Sequence, residues 1–459
     1  MSAAAPTGLH WQQLEKVATV VMGQSPPSSA YNTVGEGLPF FQGKAEFGAF
    51  HPTAAKWCTA PTKIAQPGDV LMSIRAPVGP TNLATERCCI GRGLAAIRPG
   101  EGVRSKWLLY ALRSIERSID ALGTGTTFKA ISGETVRQLS VPVASLDHQD
   151  SVIAEIEKQF SRLHDAVDNL KRVKVNAERY KASVLNAAVE GRLVPSEAEV
   201  ARREGRTYET GTQFLQRILE TRRSQWKGKY KKPVSPEING FSNPPEGWTW
   251  ASLDQLTSKI TSGSRDWSPF YGKGRSIFVL AQNVRPLTPD FSVRQFVDPP
   301  MSDSSRERSR IQVGDLLATI VGANTGQVCL IEGMPWDSYV CQSVALIRPA
   351  LLGIATFINY WLNSDEHGKR YFGGCMYGQG RPHLSFEQLM ATPIALPPIA
   401  EQTRIADEVD RRLSLATEIA VEIELNLNRA SSTHQSILQQ TFSCELRARR
   451  NSAGVQANT

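Results

Sequence analysis

Residues 183–193, SVLNAAVEGRL, return as residues 436–446, SILQQTFSCEL, 253 positions later. The same shift aligns Ile131-Ser132 with Leu384-Ser385, Gln149 with Gln402 and Glu155 with Glu408, without a gap. A unit repeated at fixed spacing predicts one module built twice. Upstream, the shift changes. Trp11, Leu14 and Glu15 match Trp250, Leu253 and Asp254 at a shift of 239. Pro67-Gly68-Asp69-Val70-Leu71 matches Val313-Gly314-Asp315-Leu316-Leu317 at 246. Ile97-Arg98-Pro99 and Tyr110 match Ile347-Arg348-Pro349 and Tyr360 at 250. The second copy has gained residues in its globular part only. Loops absorb insertions, whereas a register-bound helix does not.

Each copy opens with a globular domain, about 7–146 and 244–399, in which short β-like runs such as 69–74 lie between Gly/Pro turns. Short helices are predicted at 106–121 and 356–363, and a long helix closes each copy, about 149–189 and 402–442. In the first long helix Ile153, Ile156, Phe160, Leu163, Val167 and Leu170 alternate three and four apart. The phase slips by three at Val173 and resumes through Ala177, Tyr180 and Val184. The second repeats the pattern with Val409, Leu413, Ala416, Ala420, Ile423, Ala430 and Ile437. Such spacing predicts a coiled coil, and the slip resembles a stammer. About 40 helical residues span about 60 Å. The fold class is therefore α+β: two mixed α/β domains joined by two long helices. Antiparallel pairing of the helices would place one domain at each end of an internal pseudo-two-fold repeat. A generic bundle or dimerisation stalk would use the same helix pattern. The expected divisions are 1–147, 148–194, 195–243, 244–400, 401–447 and a flexible tail, 448–459.

Bulk properties fit this division. A chain of 459 residues exceeds one ordinary core. No apolar run reaches the roughly 18–20 residues of a membrane span, and residues 1–10 lack the pattern of a signal peptide. The seven cysteines contain no C-x-x-C pair, which favours a reducing cytoplasm. A net charge of +8 permits a nucleic-acid partner without demanding one.

The two globular copies share a frame but differ at polar positions. Arg92 aligns with Gln342; Arg suits guanine bidentately, and Gln suits adenine. The loop 73–79, containing Arg75, aligns with 319–325, containing Asn324. The loop 123–129 (GTGTTFK), with Thr124, Thr126 and Lys129, aligns with 376–382 (MYGQGRP), with Gln379 and Arg381, followed by His383. Gly-rich loops of this kind approach phosphates through backbone N–H groups while side chains reach base edges; solvated turns have the same composition. Between 201 and 232 lie ten basic residues against Glu204, Glu209 and Glu220. Phe214, Leu215, Ile218 and Leu219 mark a short amphipathic helix there, suited to an interdomain linker or to tracking a phosphate backbone.

Catalytic signatures are weak. Asn243-Pro244-Pro245 is followed by Glu246, not by the aromatic that clamps an extruded base in adenine methyltransferases. Gly123-Thr124-Gly125 lacks a third glycine. No P-loop or H-E-x-x-H occurs, and the seven histidines are scattered. No catalytic or metal-ligating set is expected.

Pro245-Glu246-Gly247-Trp248, Leu396-Pro397-Pro398 with Glu401-Gln402, and residues 183–195 (SVLNAAVEGRLVP) together resemble the specificity subunits of type I restriction–modification systems, over nearly the whole chain. Residues 145–149 depart from the proline-rich opening of the second helix. The resemblance implies two target-recognition domains, each reading half of a split, asymmetric site on double-stranded DNA, with the helices setting the gap. It implies docking of two methyltransferase subunits, through which restriction/translocase subunits join. S-adenosylmethionine, ATP and Mg are then expected on those partners, with no cofactor in this chain. An alternative is a non-enzymatic protein-binding scaffold whose duplicated domains sit on a coiled-coil spacer.

Overall fold

The structure, a computed structural model, describes residues 9–453 except 126–128, 227, 239, 264–266, 301–304, 335 and 379. Contacts divide the chain into two units: residues 1–172 with 423–459, and residues 173–422. Each unit takes one globular domain and a part of both long helices.

The unequal shifts meet in identical ladders. His10–Gln13 pairs antiparallel with Ser140–Val143, Trp11 facing Pro142. Thr249–Ser252 pairs with Pro393–Leu396, Trp250 facing Ala395. Shifts of 239 and 253 thus converge on one pairing, and the 14 added residues (253 − 239) lie between its strands. Within the first copy an antiparallel sheet runs Ala18–Met22, Leu94–Pro99, Val70–Ser73, Thr81–Leu83 in spatial order. The second copy repeats it with Thr257–Ser262, Val344–Pro349, Leu316–Thr319 and Val328–Leu330. Leu71 faces Ala96, and Leu317 faces Leu346. One added residue appears as an irregularity between Thr257 and Lys259. A further sheet contains a parallel pair in each copy: Leu38–Phe41 with Cys88–Ile90, and Tyr271–Val279 with Ser338–Val340.

The inner strands are apolar throughout because both faces are covered. Successive side chains point to opposite faces. Val70 and Met72 join Trp107, Leu108 and Tyr110, whereas Leu71 joins Phe41, Ile90 and Ala96. Likewise Leu316 and Ala318 pack with Phe357, Ile358 and Trp361, and Leu317 with Phe278 and Tyr339. The covering helices are Ser105–Ser114 and Glu116–Ala121 in the first copy, broken at Ile115, and Ala355–Asn363 in the second.

The matched Asp and Arg form one device. Asp69 accepts from Arg98 Nε and Nη2 at 3.0 and 2.9 Å, and from the Gln66 amide at 2.8 Å. Asp315 accepts from Arg348 Nε and Nη2, both at 2.7 Å, and from the Gln312 amide at 2.7 Å. Each carboxylate closes the turn before an inner strand and ties it to its neighbour.

The long helices are Leu146–Val189 and Ile399–Ala453, whose starts again differ by 253. Gln149 N donates to Ser145 O at 2.9 Å and Gln402 N to Pro398 O at 3.0 Å, so the first turn is the same despite the missing prolines at 145–149. In residues 1–172 with 423–459, the start of the first helix (Ile153, Ile156, Phe160) packs with the end of the second (Leu438, Phe442). In residues 173–422, the end of the first (Val184, Leu185, Ala188) packs with the start of the second (Ile405, Val409). The helices therefore run antiparallel. Val409, Ala416, Ile423 and Ala430 are buried at heptad spacing, and Leu413 and Ile437 are half-buried beside their clusters. Leu163, Val167 and Leu170 are half-buried. The expected resumption of the seam at Val173 and Tyr180 does not hold, since they are 46% and 43% exposed.

The motifs at 183–195, 245–248 and 401–402 meet in one place. Gly191 (φ +69°) ends the first long helix in the left-handed region. Arg192 N donates to Ala187 O at 2.9 Å, and Gly191 N to Ala188 O at 3.4 Å, a Schellman pattern. A Cβ on Gly191 would stand 3.0 Å from Pro245 and 3.2 Å from Trp248. Trp248 Nε1 donates to Glu401 Oε1 at 2.9 Å, and Glu197 N to Glu401 Oε2 at 2.8 Å. Position 444, the repeat of Gly191, is Cys. With no glycine there to adopt positive φ the helix runs on, so residues 448–453, expected in a flexible tail, are helical.

The basic stretch is two docked helices, Glu197–Glu204 and Gly211–Gln225, with Phe214 and Ile218 in the core. Four of its arginines are ion-paired: Arg202, Arg206, Arg217 and Arg222. Arg222 is buried against Asp254 at 3.1 Å, Arg217 pairs with Glu209 at 2.7 Å, and Arg206 with Glu197 at 2.7 Å. This favours a packed connector over a backbone-tracking arm. Among the described residues no helix is long and apolar enough to cross a membrane.

Two predictions follow from these packings. Asp315→Ala leaves the Gln312 amide without its acceptor and the Arg348 guanidinium with only the Arg310 carbonyl, and should destabilise the second domain by about 3 kcal/mol. Arg202→Ala, at an exposed pair with Glu246, should cost less than about 1 kcal/mol; urea titrations followed by tryptophan fluorescence compare them. Gly191→Ala should cost about 1–2 kcal/mol from the left-handed backbone alone, plus a packing excess. Gly205→Ala, at φ +65° in open space, should show the backbone part only.

Candidate functional site

In each domain two loops leave the same end of the inner sheet and are bound through their backbones to a third, which joins two short helices (Glu116–Ala121 to Gly133–Arg137, and Arg370–Cys375 to Phe386–Ala391). In the first, Ile74 N donates to Gly93 O at 2.9 Å, Ala76 N to Lys129 O at 2.9 Å and Ile131 N to Ile74 O at 3.0 Å. In the second, Ile320 N donates to Ser343 O at 2.9 Å, Gly322 N to Pro382 O at 3.1 Å and Leu384 N to Ile320 O at 2.9 Å. The third loop is pinched at its base in both: Thr124 with Ala130 at 3.0 and 2.9 Å, and Tyr377 with His383 at 3.2 and 2.9 Å. All these bonds obey the shifts read from sequence, so the aligned loops occupy equivalent places.

The side chains on that frame differ. In the first domain Arg75 and Arg92 are exposed and line a cleft of about 210 Å3, together with Ser25, Gln42, Lys44 and Ser73. Among the described residues neither arginine is ion-paired. Thr124 is exposed at the base of its loop. Lys129 is held by Asp120 at 3.1 Å. In the second domain Val321 stands where Arg75 stands, and Gln342, half-buried, where Arg92 stands. Asn324 donates to Ala281 O at 3.4 Å, spending its amide on the adjoining turn. Arg381 is exposed, and His383 stacks on Tyr377 with centroids 5.7 Å apart. Thr325 Oγ1 donates toward Pro382 O at 2.9 Å and Gly322 O at 2.7 Å, bracing one loop against another. Thr126 and Gln379 lie outside the described residues.

Sequence reasoning missed a fourth wall. Lys44–Glu46 is a short turn after the parallel strand, and Lys44 and Gln42 both line the cleft. Its counterpart, Ala281–Asn283, carries the exposed Gln282. Both turns are capped by their third residue: Gly43 N donates to Glu46 Oε2 at 3.1 Å, and Leu280 N to Asn283 Oδ1 at 3.0 Å. The residues share no identity, so only strand pairing reveals the correspondence.

Nucleophile and metal chemistry find little foothold. Burial pushes the Cys88 and Cys329 thiols up to about 12, which keeps them protonated at neutral pH. Among the described residues no group of three or more His, Cys, Asp or Glu gathers to hold a metal ion.

Two domains of one topology, each closed by a long helix and each presenting its own four-walled loop surface, define an internally duplicated two-surface protein. Residues 11–175 match the family described as type I restriction modification DNA specificity domain. The type I restriction enzyme EcoBI specificity subunit of Escherichia coli is 21% identical over 440 residues, covering 95% of this chain and 85% of that protein. The provisionally named type I restriction enzyme MjaX specificity subunit of Methanocaldococcus jannaschii is 38% identical over 180 residues, 39% of this chain and 41% of its own length. Among solved structures, the HsdS subunit from Thermoanaerobacter tengcongensis is 47% identical over 36% of this chain and 41% of that one, with a TM-score of 0.32. Residues 11–175 thus carry a type I restriction modification DNA specificity domain, and the chain is similar to type I restriction enzyme specificity subunits along most of its length.

Thr325→Val removes the hydroxyl that braces the third loop of the second domain. It should speed hydrogen exchange at the His383 amide while lowering global stability by only about 1 kcal/mol. Unchanged exchange would show that the backbone bonds suffice.

Proposed function

We propose that this chain is the DNA-specificity subunit of a type I restriction–modification assembly, without catalysis of its own, acting in the cytoplasm. The two domains read unlike halves of a bipartite, asymmetric duplex site. The antiparallel helices set the gap and dock two methyltransferase subunits, through which restriction/translocase subunits join. S-adenosylmethionine, ATP and Mg belong to those partners. One observation carries the reading: the loop frames share the backbone ties that join one loop to another, while the side chains they present are exchanged, Arg92 for Gln342 and Arg75 for Val321. A duplicated enzyme site would keep its reactive side chains and vary its scaffold. Two readers of different sequences need the opposite, since base edges are distinguished by side-chain donors and acceptors. The subunit names of the relatives support the same reading.

Footprinting of the chain assembled with its methyltransferase subunits should show two protected segments separated by an unprotected spacer. Deleting one heptad within the first long helix should alter that spacer or abolish assembly. A single continuous footprint, or binding to random duplex with no dependence on salt, would instead favour a protein-binding scaffold.

A further inference from the structure

The cleft of the first domain gathers three cations that make no close ion pair, although the Glu116 carboxylate feels the charge of Lys44. Arg75, Arg92 and Lys44 line one recess of about 210 Å3. Among the described residues no carboxylate is ion-paired with any of the three. Elsewhere this chain pairs its arginines readily, as at Arg98, Arg206, Arg217, Arg222 and Arg348. The nearest carboxylate on the cleft's own turn, Glu46, accepts the Gly43 amide at 3.1 Å and so serves the backbone.

The equivalent positions of the second domain hold no cation. Val321 and Gln342 replace the arginines, and the turn carries Gln282 in place of a lysine. There the Asn324 amide reaches Ala281 O across the space between loop and turn. The frame is constant and only the ligand chemistry changes. A guanidinium presents two parallel donors, which fit the paired O6 and N7 acceptors of guanine in the major groove. An ammonium is a compact charge without a fork, suited to a phosphate oxygen. A carboxamide pairs a donor with an acceptor and fits adenine.

We infer that the first domain recognises a guanine in its half-site through the Arg92 fork, with Arg75 beside it and Lys44 on the flanking phosphate, whereas Gln342 makes the corresponding contact of the second domain to a non-guanine base. The inference rests on the function proposed above and adds the base class and the residue that reads it. Arg92 sits on the Gly91–Gly93 turn, where Gly93 O receives the Ile74 amide. The guanidinium is therefore carried by a fixed backbone, while its side chain is exposed.

The test uses the chain assembled with its methyltransferase subunits and duplexes carrying the motif found by methylation sequencing. Guanines are replaced one at a time by 7-deazaguanine, which lacks the N7 acceptor. For the wild-type chain, one guanine in one half should weaken binding by about tenfold. R92Q should bind the natural duplex more weakly and become indifferent to that same replacement. R92K, which keeps donors but loses the fork, should bind the natural duplex more weakly than the wild-type chain and retain part of the sensitivity. K44Q should retain the sensitivity and reduce the salt slope of log Kd by about one. Retained sensitivity in R92Q, or no sensitive guanine in either half, would overturn the inference while leaving the functional reading in place. A complex that protects no two-part site would overturn both. Equal thermal melting of the variants excludes misfolding as the cause.

Discussion

The inner four-stranded sheet of each domain is buried on both faces, and the rest of the fold is arranged to keep it so. A sheet covered by a helix layer on one side and a second sheet on the other has few directions in which its loops can leave. Two of them emerge at one end and meet a loop that joins two helices, and backbone amides of one loop find carbonyls of the next. Gly93 and Ser343, Lys129 and Pro382, Ile74 and Ile320 serve as acceptors in matched pairs. The loops are thereby tied mainly through their backbones, with side-chain braces such as Thr325 added locally, and most exposed side chains are released to vary. That separation of frame from surface is what allows one topology to present arginines in one copy and amides in the other.

The helices obey a different constraint. A buried stripe such as Val409, Ala416, Ile423 and Ala430 recurs every seven residues, and any insertion would rotate it out of the seam. A constant shift of 253 is the sequence record of that geometry. The end of the first helix is fixed as firmly as its register. Gly191 turns the chain back, Pro245 and Trp248 lie against it, and Trp248 is held by Glu401 at the start of the second helix. Burial holds the Glu401 carboxyl above its usual range, offset by the donors that surround it. Three short motifs far apart in sequence are thus one junction.

Charge has to be weighed in the same local way. A net +8 says little until its pairs are known. Most arginines of the connector face carboxylates or sit in the core, and exposed pairs of that kind contribute little to stability. Among the first domain's cations without an ion pair, Arg75, Arg92 and Lys44 share the loop cleft, where a partner rich in acceptors would be met.

The sequence by itself determined the duplication, the division into domains and long helices, the matched Asp and Arg positions and the correspondence of the three main loops. These are legible because they rest on identity or on strict periodicity. It overreached where periodicity alone was followed: Val173 and Tyr180, placed on the seam after the slip, are largely exposed, because burial requires a partner surface that spacing does not supply. Only the tertiary structure decided which cations are free, since pairing depends on residues as distant as Arg206 and Glu197 or Arg222 and Asp254 coming together. It alone supplied the fourth wall, Lys44–Glu46 and Ala281–Asn283, whose equivalence lies in strand pairing and not in residue identity. Identity survives where backbone geometry must be kept. At surfaces that select different ligands it is erased, and there only folding restores the correspondence.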